Sequence, residues 1–278
     1  MTIPMEQHYK ESQIGGVGLL ELRGRESKLA AFDAITFDYW QTLVQDTPEG
    51  LRRGREIRTE GVRKVLDARG VHLSDGEIDR AYDESGQRIM RIWARDEDIS
   101  PTEQVLIFLQ CLDLNSSNLL GEEILEELEL AYSTPLLQAL PRLCLGAREI
   151  LLRVQQSGCR IGLISNTGRT PGYILRQVLE RFEILSFFNV LTFSDERRVR
   201  KPHPRIFLHH LEEQGVRPER ALHVGDDLRC DVGGAKGVGM RAIHLDRDEE
   251  KRTDVQPDGI VEDLTQLHDI IQRLERHG

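Results

Sequence analysis

Four sets of residues capable of chemistry stand just beyond apolar runs. Asp38 closes "DAITFD", Ser165 and Asn166 close "CRIGLISN", Lys201 and Pro202 follow "VLTFSDERRVR", and Asp226, Asp227 and Asp231 follow "ALHV". A carboxylate such as Asp38 can attack phosphorus or a carbon electrophile and hold the group covalently, dividing one hard step into two. The Ser165 hydroxyl and the backbone N–H groups around Asn166 and Thr167, at the start of a helix, can donate to phosphoryl oxygens. Lys201 can neutralise charge shared by nucleophile and substrate. The acidic group offers oxygen to Mg²⁺, which takes one or two carboxylates and completes its octahedron with waters and phosphate. Taken singly, each Asp reads as a helix cap or turn residue, Ser165 as a cap and Lys201 as a solvated loop charge. The set, recurring at four strand ends, is what points to a site.

The elements that must position them alternate. Strand "AITF" (34 to 37) is followed, from about Thr47 to Ala139, by amphipathic helical stretches such as "EGVRKVLDARG" and "TEQVLIFLQCLDL". The alternation then resumes: helix "GAREILLRVQQSG", strand "CRIGLIS", helix "PGYILRQVLERF", strand "FNVLTFS", helix "HPRIFLHHLEEQG", strand "ALHVGD", helix "DVGGAKGVG", strands "RAIHL" and "GIVED", and a final helix. Strands apolar on both faces and separated by helices predict a doubly wound, Rossmann-like parallel sheet, an α/β core. Such sheets bind ligands beyond the carboxyl ends of their strands, where the strand order reverses. The organisation expected is an N-terminal extension (1–32) read as a flexible tail, a core formed by 33–47 and 140–278, and an inserted α-helical cap domain over 48–139.

Composition excludes several classes. The 278 residues are 39% hydrophobic and 30% charged, with no apolar run near the ~20 residues that a membrane span requires. The N-terminus lacks the basic and apolar regions of a secretory signal, so a cytoplasmic location is expected. Cys111, Cys144, Cys159 and Cys230 form no CxxC pair and read as reduced packing residues. A net charge of −10 opposes general attraction to nucleic acid or anionic membranes, while leaving room for a local basic patch to bind a small anionic molecule. Oligomeric state has no signature.

The four motifs together resemble the haloacid dehalogenase (HAD) superfamily of hydrolases. "DYWQTL" is similar to its D-x-x-x-T-[LV], "LISNTG" to its strand ending in [ST]-N, "KPHPRIF" to its K-P-x-P-x-x-F, and "ALHVGDDLRCD" to its V-G-D-x-x-x-x-D. Their order and spacing, and a helical insert where a C1-type cap belongs, extend the resemblance over about residues 33 to 265. It implies an aspartyl nucleophile at Asp38, Ser165, Asn166 and Lys201 around the phosphoryl group, and Mg²⁺ held by Asp38, the Trp40 carbonyl and Asp226. Asp231 would orient waters or Lys201, and Asp227 stands at a variable position that reads equally as a helix cap.

Two residues depart from the family pattern. Its phosphatases carry a second Asp two positions after the nucleophile, which protonates the leaving group and then activates water; this chain has Trp40. General acid–base help of that kind is worth roughly 10²–10⁴-fold. Gln41 stands where the family commonly has Gly, which reaches backbone angles that Gln adopts less easily. Three readings follow. The leading one is Mg²⁺-dependent, phosphatase-type hydrolysis of a small phosphorylated metabolite through an aspartyl-phosphate, slow or restricted to good leaving groups. The second is 2-haloacid dehalogenation, whose enzymes in this family carry an aromatic residue at position 40, need no proton for a departing halide and use no metal. Three carboxylates beside the nucleophile would repel a haloacid and weigh against it. The third is a non-catalytic binding module on the same fold.

Other features take simpler readings. His223 and His244 lie inside strands and read as core residues. "GGAKGVG" lacks the G-K-[ST] of a phosphate loop. "LRRGREIR" (51 to 58) reads as a solvated helix face, with the possibility of offering an Arg to an anionic substrate. Trp93 and Phe108 read as cap core.

Overall fold

The computed structural model describes residues 32–114, 121–246 and 254–277; the tail expected over 1–32 lies, save for Phe32, outside the described residues. Strand β1 (Ala34–Phe37) is buried along its whole length, as a strand covered on both faces must be. It pairs in parallel with β4 (Arg160–Ser165) on one side and β6 (Ala221–Gly225) on the other. With β5 (Val190–Phe193), β7 (Arg241–Leu245) and β8 (Gly259–Val261) the sheet has six strands in the order β5-β4-β1-β6-β7-β8. All its pairings are parallel. The chain steps outward from β1 to β4 and β5, then returns to the far side of β1 for β6, β7 and β8. That reversal is the doubly wound topology expected, and it opens a crevice at the carboxyl end of β1.

Helices α5 (Ala147–Gln156), α6 (Gly172–Arg181), α8 (Pro204–Gln214) and α10 (Leu267–His277) connect or follow the strands. Two short elements were not visible as periodicity: a single helical turn α7 (Ser194–Arg197) directly after β5, and a two-residue antiparallel ladder of β2 (Val44–Gln45) with β3 (Arg142–Leu143). The expected helix "DVGGAKGVG" instead opens as a π-helical turn, Leu228–Gly233, running into α9 (Gly234–Gly237).

Between β2 and β3 the described residues form four α-helices: α1 (Pro48–Asp67), α2 (Asp75–Trp93), α3 (Pro101–Cys111) and α4 (Glu122–Ser133). The starts of the first three are written in the sequence. Thr47 caps α1, and Ser74 with Glu77 and Ser100 with Glu103 form reciprocal capping boxes for α2 and α3. They bury their own cluster, including Val62, Leu66, Ile78, Phe108, Leu128 and Tyr132. The insert is tied to the sheet loops by Gln104 Nε2, which donates to the Gly168 carbonyl at 3.1 Å, and by Arg200 N–H, which donates to the Asp96 carbonyl at 2.9 Å. No helix of the described residues is long and apolar enough to cross a membrane.

Candidate active site

Asp38 follows β1 at the reversal point and is buried. Its loop turns back at once: Gln41 N–H donates to the Val44 carbonyl at 2.7 Å, and Leu43 and Val44 N–H both donate to the Tyr39 carbonyl. Gln41 takes φ +55° there, so the left-handed turn that Gly would favour forms with a side chain present.

Lys201 reaches Asp38 from the loop after α7. Its Nζ lies 2.5 Å from Asp38 Oδ1, 2.6 Å from Asp231 Oδ1 and 2.7 Å from the Ile164 carbonyl. Asp231 arrives on the π-helical turn after β6. Besides Lys201, its carboxylate contacts His223 Nε2 at 3.2 Å and accepts the Asp227 N–H at 3.0 Å. His223, which is fully buried as expected, thus also backs this carboxylate, with Thr36 Oγ1 against its other ring nitrogen at 2.8 Å. Gly225 makes the approach possible, since a Cβ there would sit 2.2 Å from Asp231 Cγ.

Asp38, Asp226 and Asp231 bring one carboxylate oxygen each within 4.8 Å of one another. At an effective dielectric near 20, two unit charges at that separation repel by about 3 to 4 kcal/mol. The consequence is visible in their proton affinities. Burial, together with the Asp231 and Asp226 charges, pushes Asp38 up to about 8 although Lys201 opposes the rise. Burial and then Asp231 push Asp226 up to about 6. Asp231 goes the other way: burial would raise it, but Lys201 and His223 together hold it below the usual carboxylate range. Lys201 is pushed down by burial yet held above its ordinary value by Asp231 and Asp38. Three carboxylates against one ammonium leave an excess of negative charge on an all-oxygen donor set, which fits a hard divalent cation such as Mg²⁺.

The loop after β4 differs from expectation in detail. Ser165 is buried, with its hydroxyl 3.4 Å from the Asn166 carbonyl. The Asn166 amide turns to the Lys201 backbone, accepting its N–H at 2.7 Å and donating to its carbonyl at 2.9 Å, so this side chain holds the lysine loop. The Thr167 N–H, expected to face phosphoryl oxygens, donates instead to Ser194 Oγ at 2.8 Å, because α7 brings that hydroxyl against the loop. Asp227 caps the π-helical turn, accepting from the N–H groups of Arg229 and Cys230 at 2.8 Å each.

Several neighbours carried no sequence signal. Asp98, buried in the segment between α2 and α3, accepts from Trp93 Nε1 at 2.9 Å, Ser194 Oγ at 2.5 Å and Arg200 Nη1 at 2.6 Å. Trp93 also stacks on the Arg200 guanidinium at 4.4 Å, so it serves this junction beyond filling the insert's core. A cavity of about 330 Å³ lies beside the site, lined among others by Trp40, Asp46, Arg58, Asn166, Thr167 and Arg169. Trp40 is half-buried there and meets Tyr39 edge-on at 4.8 Å. A larger groove on the insert is lined by Arg52, Arg55, Glu56 and Asp79, which pair with acids or bases of the insert itself, and none of the residues above.

Comparison with known proteins gives the family. Residues 32–239 match the model of the haloacid dehalogenase-like hydrolases. The chain belongs to that family. This HAD-like hydrolase is 35% identical over 134 residues to the glyceraldehyde 3-phosphate phosphatase of Pyrococcus furiosus, covering 46% of this chain and 54% of that one. It is 27% identical over 131 residues to the phosphoglycolate phosphatase of Nitrosococcus oceani, covering 46% and 56%. The chain thus spans about half the length of these curated relatives. Among solved structures, a HAD phosphatase from Thermococcus onnurineus superposes with a TM-score of 0.55 at 26% identity, covering 86% of this chain and 98% of that one. A 2-haloacid dehalogenase from Pseudomonas syringae superposes with a TM-score of 0.66 at 18% identity, covering 87% and 99%; at that identity it speaks for the fold alone.

Proposed function

We propose that this HAD-like hydrolase cleaves phosphate monoesters of small metabolites through an aspartyl-phosphate on Asp38. The observation that carries the reading is the surplus of negative charge at the carboxyl end of β1. Asp38, Asp226 and Asp231 bring carboxylate oxygens within 4.8 Å of one another, with the Lys201 ammonium paired to Asp38 and Asp231. A site built for an anionic haloacid without a metal would gain nothing from that crowding. The phosphatase names of the relatives support the same reading.

In this reading Asp38, the Trp40 carbonyl and Asp226 would hold Mg²⁺, which when bound supplies charge neutralisation between the carboxylates and the incoming phosphoryl group. Lys201 orients Asp38 and balances its charge, and Asp231, engaged by His223 and the Asp227 N–H, fixes Lys201 from behind. Ser165 stands for phosphoryl binding and Asn166 for holding the Lys201 loop. An Asp38 oxygen attacks phosphorus and the bond from phosphorus to the leaving oxygen breaks. That oxygen takes its proton from water, since no carboxylate stands at position 40. Water then attacks the aspartyl-phosphate, releasing inorganic phosphate and restoring Asp38. The helices of 48–139 act as the cap that selects the substrate, and the core comprises 33–47 and 140–278.

Trp40 is the one observation that favours haloacid cleavage, and the carboxylate cluster opposes it. A panel of aryl, acyl and alkyl phosphates and 2-haloacids, assayed with Mg²⁺ and with EDTA, decides. Phosphate release abolished by EDTA is expected; halide release indifferent to EDTA would replace the reading, and silence on every substrate would leave a binding module.

A further inference from the structure

The basic stretch that opens α1 divides into two kinds of arginine. Arg52, Arg53 and Arg55 form exposed ion pairs with Glu49, Glu56, Asp79 and Asp83, the solvated face expected of them. Arg58 is 7% exposed and turned inward. Its Nε donates to the Tyr132 carbonyl at 2.6 Å and its Nη1 to the Tyr82 hydroxyl at 3.2 Å, with the guanidinium 5.3 Å from the Tyr132 ring centre.

Arg169, from the loop after β4, contacts the same two tyrosines. It stacks on Tyr82 at 3.9 Å, donates to the Tyr82 carbonyl at 2.8 Å and the Ser85 hydroxyl at 3.3 Å, and contacts the Tyr132 hydroxyl. The packing of α2 makes room for it: a Cβ on Gly86 would stand 2.6 Å from Arg169 Nη2. Glycine inside a helix is unfavourable relative to Ala, so the seat for this guanidinium is kept at a cost to the helix.

Both guanidiniums line the cavity of about 330 Å³ that also contains Trp40, Asn166 and Thr167. Arg58 is buried and Arg169 partly buried; such charges are ordinarily compensated by an opposite charge, and elsewhere the site obeys this, with Arg200 on Asp98 and Lys201 on Asp38 and Asp231. Among the described residues no carboxylate lies within ion-pair distance of Arg58 or Arg169; every acceptor they meet is neutral. Among the described residues Asp46 is the only carboxylate lining the cavity, and it forms no ion pair with either arginine; burial pushes its affinity for a proton up to about 6.

We propose that Arg58 and Arg169 form an anion subsite, so that the favoured substrate is a small phosphate monoester whose leaving group carries a second anionic group, a carboxylate or a second phosphate. The proposal rests on the phosphatase reading for which end is cleaved. The subsite itself rests on the uncompensated pair. The cavity has the volume of a small-ligand pocket, and both cations reach it from elements flanking the residues after β1 and β4. The donors of the two forks that no protein group takes are the ones such a ligand would accept from.

The test separates binding from turnover. With Mg²⁺ present, calorimetry on the full chain compares 3-phosphonopropionate and 1,3-propanediphosphonate with propylphosphonate, none of which can be hydrolysed at the carbon–phosphorus bond by attack on an ester. The wild type is expected to bind at least one doubly anionic ligand about tenfold or more tighter than propylphosphonate, and which of the two it favours distinguishes a carboxylate from a phosphate. Arg169→Met should remove that preference and Arg169→Lys restore part of it, with melting curves confirming that both variants are folded. Equal affinity of the wild type for all three ligands overturns the subsite, as does a folded Arg169→Met that keeps the preference. A preference in binding without phosphate release from any ester would keep the subsite and overturn the phosphatase reading instead.

Discussion

Trp40→Asp combined with Gln41→Gly puts a carboxylate where the family's phosphatases carry their acid–base and frees the turn that presents it. The stability cost is bounded by the structure. Trp40 is half-buried with one edge-on contact to Tyr39; loss of a fully buried Trp costs about 3–5 kcal/mol, so roughly half of that applies here. Gln41 sits at φ +55°, a conformation costing a non-glycine residue roughly 1–2 kcal/mol, of which Gly recovers all but the roughly 0.5–1 kcal/mol of its larger chain entropy. The double variant should therefore lose only about 1–2 kcal/mol, well inside the ~5–15 kcal/mol of an ordinary domain. The catalytic gain is larger. General acid–base catalysis supplies roughly 10²–10⁴-fold, and a newly placed group without its usual supporting contacts should deliver at least about tenfold of that on poor leaving groups. Phosphate release is measured across a series from aryl to alkyl esters, with Mg²⁺, for wild type and variant. The wild type should fall steeply with leaving-group pKa and show a burst before a slow steady state; the variant should flatten the slope and raise alkyl turnover. A well-folded double variant with the wild-type slope would refute the claim that position 40 limits proton transfer.

Four further outcomes follow from the same geometry. Asp38→Asn should abolish hydrolysis with the melting temperature little changed, because the amide is nearly isosteric but a poor nucleophile; persisting activity would remove Asp38 from the attacking role. Asp226→Ala should weaken Mg²⁺ binding and activity together, and unchanged Mg²⁺ affinity by calorimetry would take Asp226 out of the ligand set. Gly225→Ala would drive a methyl to 2.2 Å from Asp231 Cγ and dislodge the partner of Lys201, so chemical denaturation should show a loss of about 3–5 kcal/mol. Asp46 titrates near 6 in the folded chain against an ordinary value of 3.8, with burial as the cause. The unfolded chain ionises first, so this carboxyl lowers stability progressively as pH rises from about 4 to 6. Asp46→Asn should therefore match the wild type near pH 3 and gain about 1 kcal/mol at pH 7, after discounting for solvent screening, and equal stability at both pH values would exclude a strained carboxyl there.

Local pattern was enough for the frame. The runs of β1, β4 and β6 are buried on both faces because they are mostly apolar, with Thr36 and His223 paired to each other inside the sheet, and helix starts at Thr47, Ser74 and Ser100 follow from side chains that cap their own backbone. The positions of Asp38, Lys201, Asp226 and Asp231 at strand ends were legible for the same reason, since a parallel sheet delivers the residues after its strands to one edge. The direction in which each side chain points was not legible. Whether the Asn166 amide faces a ligand or the Lys201 backbone depends on a loop 35 residues away. Whether the Thr167 N–H is available depends on a hydroxyl 27 residues on, delivered by a helical turn too short to leave a periodicity. Asp98 and Arg200, 102 residues apart, carry no motif in the sequence and become a pair only when the insert closes on the loop before Lys201. Arg58 lies in the same basic run as Arg52, and helical phase together with the placement of Tyr82, Tyr132 and Arg169 from three other segments makes one a solvated charge and the other a buried one. The sequence by itself determined which backbone segments form the sheet and which chemical groups reach its edge, because those depend on neighbours within a few residues. Tertiary structure alone decided which charges are compensated and which donors remain open, because compensation is a property of distances between segments that the chain brings together only on folding.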